Sequence, residues 1–158
     1  HRIERKTALL ISVSCQLGAM VMQAAPQEVT ALKRYGYYLG MAFQVTDDIL
    51  DFTASEEVLG KPVGSDIRQG VITLPSIYAI KFDSRGQELS NLLSSPECCR
   101  QRAEEIIDIV VHSEGIEYAY QVTQKYADLA IRQLQFLPDG LVCQALADMA
   151  GFISGRDY

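Results

Sequence analysis

The sequence predicts an all-α fold, a helical bundle. Apolar residues recur at three- and four-residue steps along most of the chain, no run of alternating β-branched residues interrupts them, and Pro, Gly and Asp clusters mark the joints. The 158 residues suit one domain. A chain of that size buries roughly 68–70% of its unfolded surface. Nearly half the residues are hydrophobic and 22% are charged, which excludes a disordered chain.

The first helix is expected to open at Lys6-Thr7 and to end before Pro26, which starts the second. Between Lys6 and Glu28 lie 21 uncharged residues, enough to span a bilayer. Thr7, Ser12, Ser14, Gln16 and Gln23 interrupt that stretch, so it reads as a helix buried inside a bundle, not as a transmembrane segment. Val29, Leu32, Leu39, Phe43, Ile49 and Phe52 carry the second helix to about Phe52. A loop with Gly60, Pro62 and Gly64 follows, then a helical stretch over 65–82 interrupted near Pro75. Asp83 to Gly86 reads as a turn. Ser95-Pro96-Glu97 has the cap, first-turn proline and acid of a helix start, with Gly115 as the stop. Ile116–Phe136 forms the next helix, Pro138-Asp139-Gly140 a turn, and Leu141–Ser154 the last helix.

Twenty acidic against 14 basic side chains give a formal charge of −6. That balance argues against a nucleic-acid partner, which requires a basic footprint. A phosphorylated substrate stays open, because a bound metal or a few local cations invert the field. The four cysteines form no CxxC pair, and no secretory signal is visible. Reduced thiols in a cytoplasmic protein are the simple reading.

The chemistry gathers on the second helix. With 3.6 residues per turn, Gln44, Asp47, Asp48 and Asp51 share an arc of roughly 100°. The three carboxylates repel one another near a helix C-terminus, where the dipole also disfavours anions. No basic residue stands between Arg34 and Lys61 to neutralise them. An outside cation relieves that cost, and oxygen-only ligands select a hard one, Mg²⁺ best of all. The same acids also read as a solvated face with no ligand. Downstream, the glycine-rich segment 59–70 offers Lys61 and Arg68, suited to phosphate groups. Upstream, Lys6 and Thr7 stand where a helix start favours anions. Each cation alone also reads as ordinary surface charge; together with the acids they describe a metal–diphosphate site.

Lys6-Thr7, Phe43-Gln44-x-x-Asp47-Asp48-x-x-Asp51, Gly60-Lys61-x-x-Gly64-x-Asp66 and Gly70-x-x-Thr73-Leu74-Pro75 resemble, in order, the C-terminal half of the trans-polyprenyl diphosphate synthases. The last segment and the ending Ile153 to Tyr158 resemble the medium- and long-chain bacterial members. The resemblance implies the C-terminal half of an isoprenoid-synthase bundle and head-to-tail prenyl transfer. An allylic diphosphate such as farnesyl diphosphate ionises with Mg²⁺, isopentenyl diphosphate attacks through its double bond, and a proton is lost. It assigns metal binding to Asp47, Asp48 and Asp51, with Asp47 the direct ligand and central to catalysis. Lys6, Thr7, Lys61 and Arg68 fall to the diphosphates, Lys6 and Gln44 to catalysis, and Phe43 and Gln44 to the substrate lining. Phe43 reads equally as core, and Gly36 and Gly40 equally as close packing or as room for substrate.

Several features depart from the family pattern. The 158 residues hold one DDxxD motif, whereas the family has a second, earlier one. Val71 stands where many members carry Lys, a contact that Arg68 is placed to replace. The expectation is a partial domain, residues 1–158, inactive alone and associating through exposed apolar faces as a homodimer or with a second synthase subunit. A lipophilic product would bring it to a membrane surface. Two alternatives remain: a terpene cyclase, although the second metal motif of that class is missing, and a non-catalytic subunit of a heteromeric synthase, for which clustered acids have no use.

Overall fold

The computed structural model describes residues 1–55, 57, 60 and 62–155. Among them the regular structure is helical, with no strand, as the periodicity predicts. A π-helical turn, Glu4–Ala8, runs into α1 (Leu9–Val21), and Pro26 is the first residue of α2 (Pro26–Thr53). Then come α3 (Ser65–Arg68), α4 (Leu74–Phe82), α5 (Gly86–Leu92), α6 (Pro96–Gln101), α7 (Ala103–Val111) and α8 (Gly115–Gln133). A 3₁₀ turn, Leu134–Phe136, leads to α9 (Leu141–Ser154).

The chain forms two compact units. Among the described residues, one holds His1–Thr46 and 122–155; the other is Asp47–Gln121. The core of the first is built by α2, α8 and α9, around Tyr35, Leu39, Ala42, Ala130, Ala150 and Ile153. That of the second is built by α3 to α7, around Ile67, Ala79, Leu89, Ile106, Ile109 and Val110.

Tyr35 ties the first unit together. It is 1% exposed, and its hydroxyl donates to the Leu146 carbonyl at 2.7 Å. Burial, and then the Cys15 thiol, push its phenol up to about 12. The folded state therefore holds this proton more tightly than the unfolded chain, whose tyrosines ionise near 10. Stability should be unaffected by this group below pH 10 and fall between pH 10 and 12, by up to about 2–3 kcal/mol. Urea unfolding at pH 8 and pH 11.5 checks this. Tyr35→Phe should cost about 1 kcal/mol at pH 8 and show a shallower alkaline loss than the wild type; identical slopes would clear Tyr35.

Several boundaries differ from the sequence reading. Lys6 and Thr7 do not open a helix: helical backbone begins at Arg2, and both lie inside the π turn. Pro75 does not interrupt a helix but sits in the first turn of α4, where its missing N–H costs nothing; the break falls over 69–73. Gly115 opens α8 and does not close the helix before it, which ends at Val111. A Cβ at Gly115 would overlap the Pro75 carbonyl, so this glycine serves the close approach of two helix starts. The helix read from Ser95 is divided at Arg102, and Gly86 begins a helix that was not expected. The Ser95 cap holds, accepting from the Cys98 N–H at 3.2 Å.

α1 is not the buried helix that was expected. It fully buries only Ser12 and Ala19, while Leu10, Leu17 and Val21 are each more than half exposed. None of the described helices is long and apolar enough to cross a membrane. The four cysteines are free thiols.

Candidate functional site

The first unit holds Lys6, Thr7 and Gln44. Along α2, Gly36 and Gly40 face the start of the chain. A Cβ at Gly40 would stand 2.7 Å from the Ala8 Cα, and one at Gly36 2.8 Å from the Ile11 carbonyl. Neither position tolerates that overlap, so these glycines serve close helix packing, which settles the two readings left open above. The contact lets side chains meet across it. The Thr7 hydroxyl donates to Gln44 Oε1 at 2.7 Å and so orients the buried amide. Three residues before Thr7, Glu4 accepts from the Tyr37 hydroxyl at 3.4 Å. Burial first, and then the Glu4 carboxylate, push the Tyr37 phenol above its ordinary value. Glu4 and Thr7 thus pin both ends of the π turn on α2, with Lys6 exposed between them. Single π turns within helices frequently mark functional positions.

Phe43 is 40% exposed on a helix whose neighbouring positions Ala42, Gln44 and Val45 are buried. Its ring is not part of the core of this chain.

The second unit holds the three carboxylates. Asp47 is half-buried, Asp48 is 5% exposed and Asp51 fully buried. The loop after α2 folds back on Asp51. The Gly64 N–H donates to the Asp51 carbonyl at 2.7 Å, and the Asp66 N–H to the Asp51 carboxylate at 2.9 Å. Gly64 makes this turn possible, with φ +70° in the left-handed region that glycine enters at little cost. Ile67, wholly buried, anchors the α3 end of the loop in the core.

The donor set is all oxygen, which suits a hard divalent cation. Among the described residues, no three His, Cys, Asp or Glu side chains stand together as a ready-made metal cage. Such a cation can be held by one or two carboxylates, its shell completed by phosphate oxygens and water. Asp47 is the most accessible of the three aspartates for that purpose.

Arg68 is placed differently from the expectation. Its guanidinium pairs with Glu104 of α7, and its Nε–H donates to the Val63 carbonyl at 3.4 Å. Lys61 and the ending Arg156 to Tyr158 lie outside the described residues. Glu104 was not legible as a partner, since 36 residues separate it from Arg68. The Asp66 N–H was equally hidden, because a backbone donor leaves no mark in a sequence.

Residues 1–110 match the family model for polyprenyl synthetases. Component 2 of the heptaprenyl diphosphate synthase of Bacillus subtilis is 44% identical over the whole chain, which covers 45% of that protein. The solved heptaprenyl diphosphate synthase of Staphylococcus aureus matches 99% of the chain at 38% identity and TM-score 0.91, over 49% of its own length. The geranylgeranyl pyrophosphate synthase of Corynebacterium glutamicum, solved with calcium and isoprenyl diphosphate, matches 96% at 36% identity and TM-score 0.84, over 48% of its length. The chain spans about half the length of each.

Proposed function

The chain belongs to the polyprenyl synthetase family, and from that premise we propose that it is the C-terminal half of a Mg²⁺-dependent trans-prenyltransferase. The reaction is the extension of an allylic diphosphate, such as farnesyl diphosphate, by isopentenyl diphosphate to a medium- or long-chain polyprenyl diphosphate. The observation that carries this reading is the loop docked on Asp51: backbone N–H groups fasten the Gly64–Asp66 turn to the aspartate helix. Lys61 is three residues before Gly64 in the sequence.

In this reading Asp47 is the direct metal ligand, with Asp48 and Asp51 supporting it. Asp51 acts through its hold on the loop, since one carboxylate oxygen already accepts the Asp66 N–H. Mg²⁺, when bound, supplies Lewis-acid stabilisation of the departing diphosphate. Lys6 and Lys61 bind diphosphate oxygens as point charges. Gln44, oriented by Thr7, and Phe43 line the space of the reacting carbons. The ring face of Phe43 favours positive charge developing there. The allylic C–O bond breaks with its electrons leaving on the diphosphate, the isopentenyl π electrons form the new C–C bond, and loss of a proton restores a double bond.

The name of the Bacillus subtilis relative, component 2, favours assembly with a second, different subunit. A long polyprenyl product would bring the assembly to a membrane surface.

Calorimetric titration of the chain with farnesyl diphosphate, with and without Mg²⁺, tests the reading. Binding should require the metal. Lys61→Ala should weaken it by about 1–3 kcal/mol, the worth of a charge-assisted contact. Binding indifferent to Mg²⁺ would remove the metal–diphosphate assignment; equal affinity in Lys61→Ala would return that lysine to the solvated surface.

A further inference from the structure

Arg68 stands where a diphosphate-binding cation was expected, yet its contacts lead away from that role. Its Nε–H reaches the Val63 carbonyl, and its terminal nitrogen pairs with Glu104. Val63 immediately precedes Gly64, whose N–H bonds to the Asp51 carbonyl, and Asp66 bonds to the Asp51 carboxylate two residues later. The α7 face presenting Glu104 also presents Ile107, one turn on, whose side chain fills the space where a Gly64 Cβ would stand. α7 carries none of the motif residues, yet it meets this loop twice, by charge at Arg68 and by packing at Gly64.

We propose that Arg68 is a positioning residue: clamped by Glu104, it braces the 63–66 turn against the last turn of α2 and thereby sets the Asp51 carboxylate. The brace acts on the aspartate through two backbone hydrogen bonds and needs no contact with diphosphate. Its bearing on the reaction rests on the reading that Asp51 and this loop belong to the metal–diphosphate site. Arg68 is about a third exposed and Glu104 largely so, and pairs of that kind contribute modestly. The brace therefore tunes the loop without holding up the fold.

The test uses Arg68→Gln, Glu104→Gln and the charge swap Arg68→Glu with Glu104→Arg, read by amide hydrogen exchange and by titration with inorganic pyrophosphate in Mg²⁺. Exchange at Gly64 and Asp66 should quicken about three- to fivefold in each single variant. Ile109, in the core, should keep its rate. The swap should recover part of the protection, because the ion pair returns while the Val63 bond does not. Pyrophosphate affinity should follow the same order.

Unchanged exchange in both single variants overturns the brace. Affinity lost in Arg68→Gln but kept in Glu104→Gln, with the swap the weakest binder of all, overturns it in favour of a diphosphate ligand. Altered exchange with no pyrophosphate binding even in the wild type supports the brace and defeats the functional reading beneath it.

Discussion

Asp47→Asn in the complete synthase is expected to lower turnover by about 10²–10³-fold without loss of stability. The magnitude is that of removing one preorganised group facing charge that develops in the transition state. The prediction rests on burial. Asp51 is sealed and fastened to the loop, and Asp48 is nearly as buried, so Asp47 offers the most accessible carboxylate. Asn keeps the shape and removes the charge. Three acids within five residues near a helix C-terminus repel one another and oppose the helix dipole, so neutralising one relieves both terms. The variant should therefore melt at or slightly above the wild-type temperature. Activity down and stability level or higher is the signature of a ligand, whereas activity and stability falling together would indicate a structural acid. Turnover within threefold of wild type would end the assignment of Asp47 as the metal ligand.

The aspartate face was legible because a helix converts spacing into direction. Once Pro26 to Thr53 reads as one helix, residues 44, 47, 48 and 51 share a side without further information. The last helix was legible for a similar reason, with Gly140 before it and a regular apolar pattern through it. What failed were the glycines and prolines, whose local signals have two meanings. Gly115 reads as a helix stop from its left-handed freedom, yet its place is set by the Pro75 carbonyl, 40 residues away. Pro75 reads as a breaker, although within a first turn it breaks nothing. The resemblance sets Asp47 apart, but the burial that divides it from Asp48 and Asp51 was out of reach of the spacing. Burial decides which carboxylate meets solvent, and burial follows from a loop whose anchors are backbone N–H groups. Arg68 shows the same limit: its charge pointed to an anion, and the anion it meets is Glu104, on a helix the motifs do not include.

Gly64→Ala is expected to cost about 2–5 kcal/mol, in two separable parts. The first is backbone strain. At φ +70° and ψ 28° a residue with a Cβ sits in the left-handed region, which costs about 1–2 kcal/mol. The second is crowding. The new methyl would lie 2.8 Å from Ile107 Cγ1 and closer still to its Cδ1, and forcing a packed side chain aside costs about 1–3 kcal/mol. Gly60 provides the internal control, because its φ is +65° with nothing within 4 Å of its Cβ position. Gly60→Ala should therefore show the backbone cost alone. Ile107→Ala combined with Gly64→Ala should recover the crowding share and leave a residue equal to the Gly60→Ala effect. Urea unfolding of these three variants and of Ile107→Ala alone, the reference for the double variant, closes this cycle. The functional loss should exceed the loss of stability, since Gly64 is the donor to the Asp51 carbonyl and any shift there moves the carboxylate that Asp66 holds. Gly64→Ala and Gly60→Ala equal in both stability and pyrophosphate affinity would mean that Ile107 yields freely and that the turn does not depend on its seat against α7.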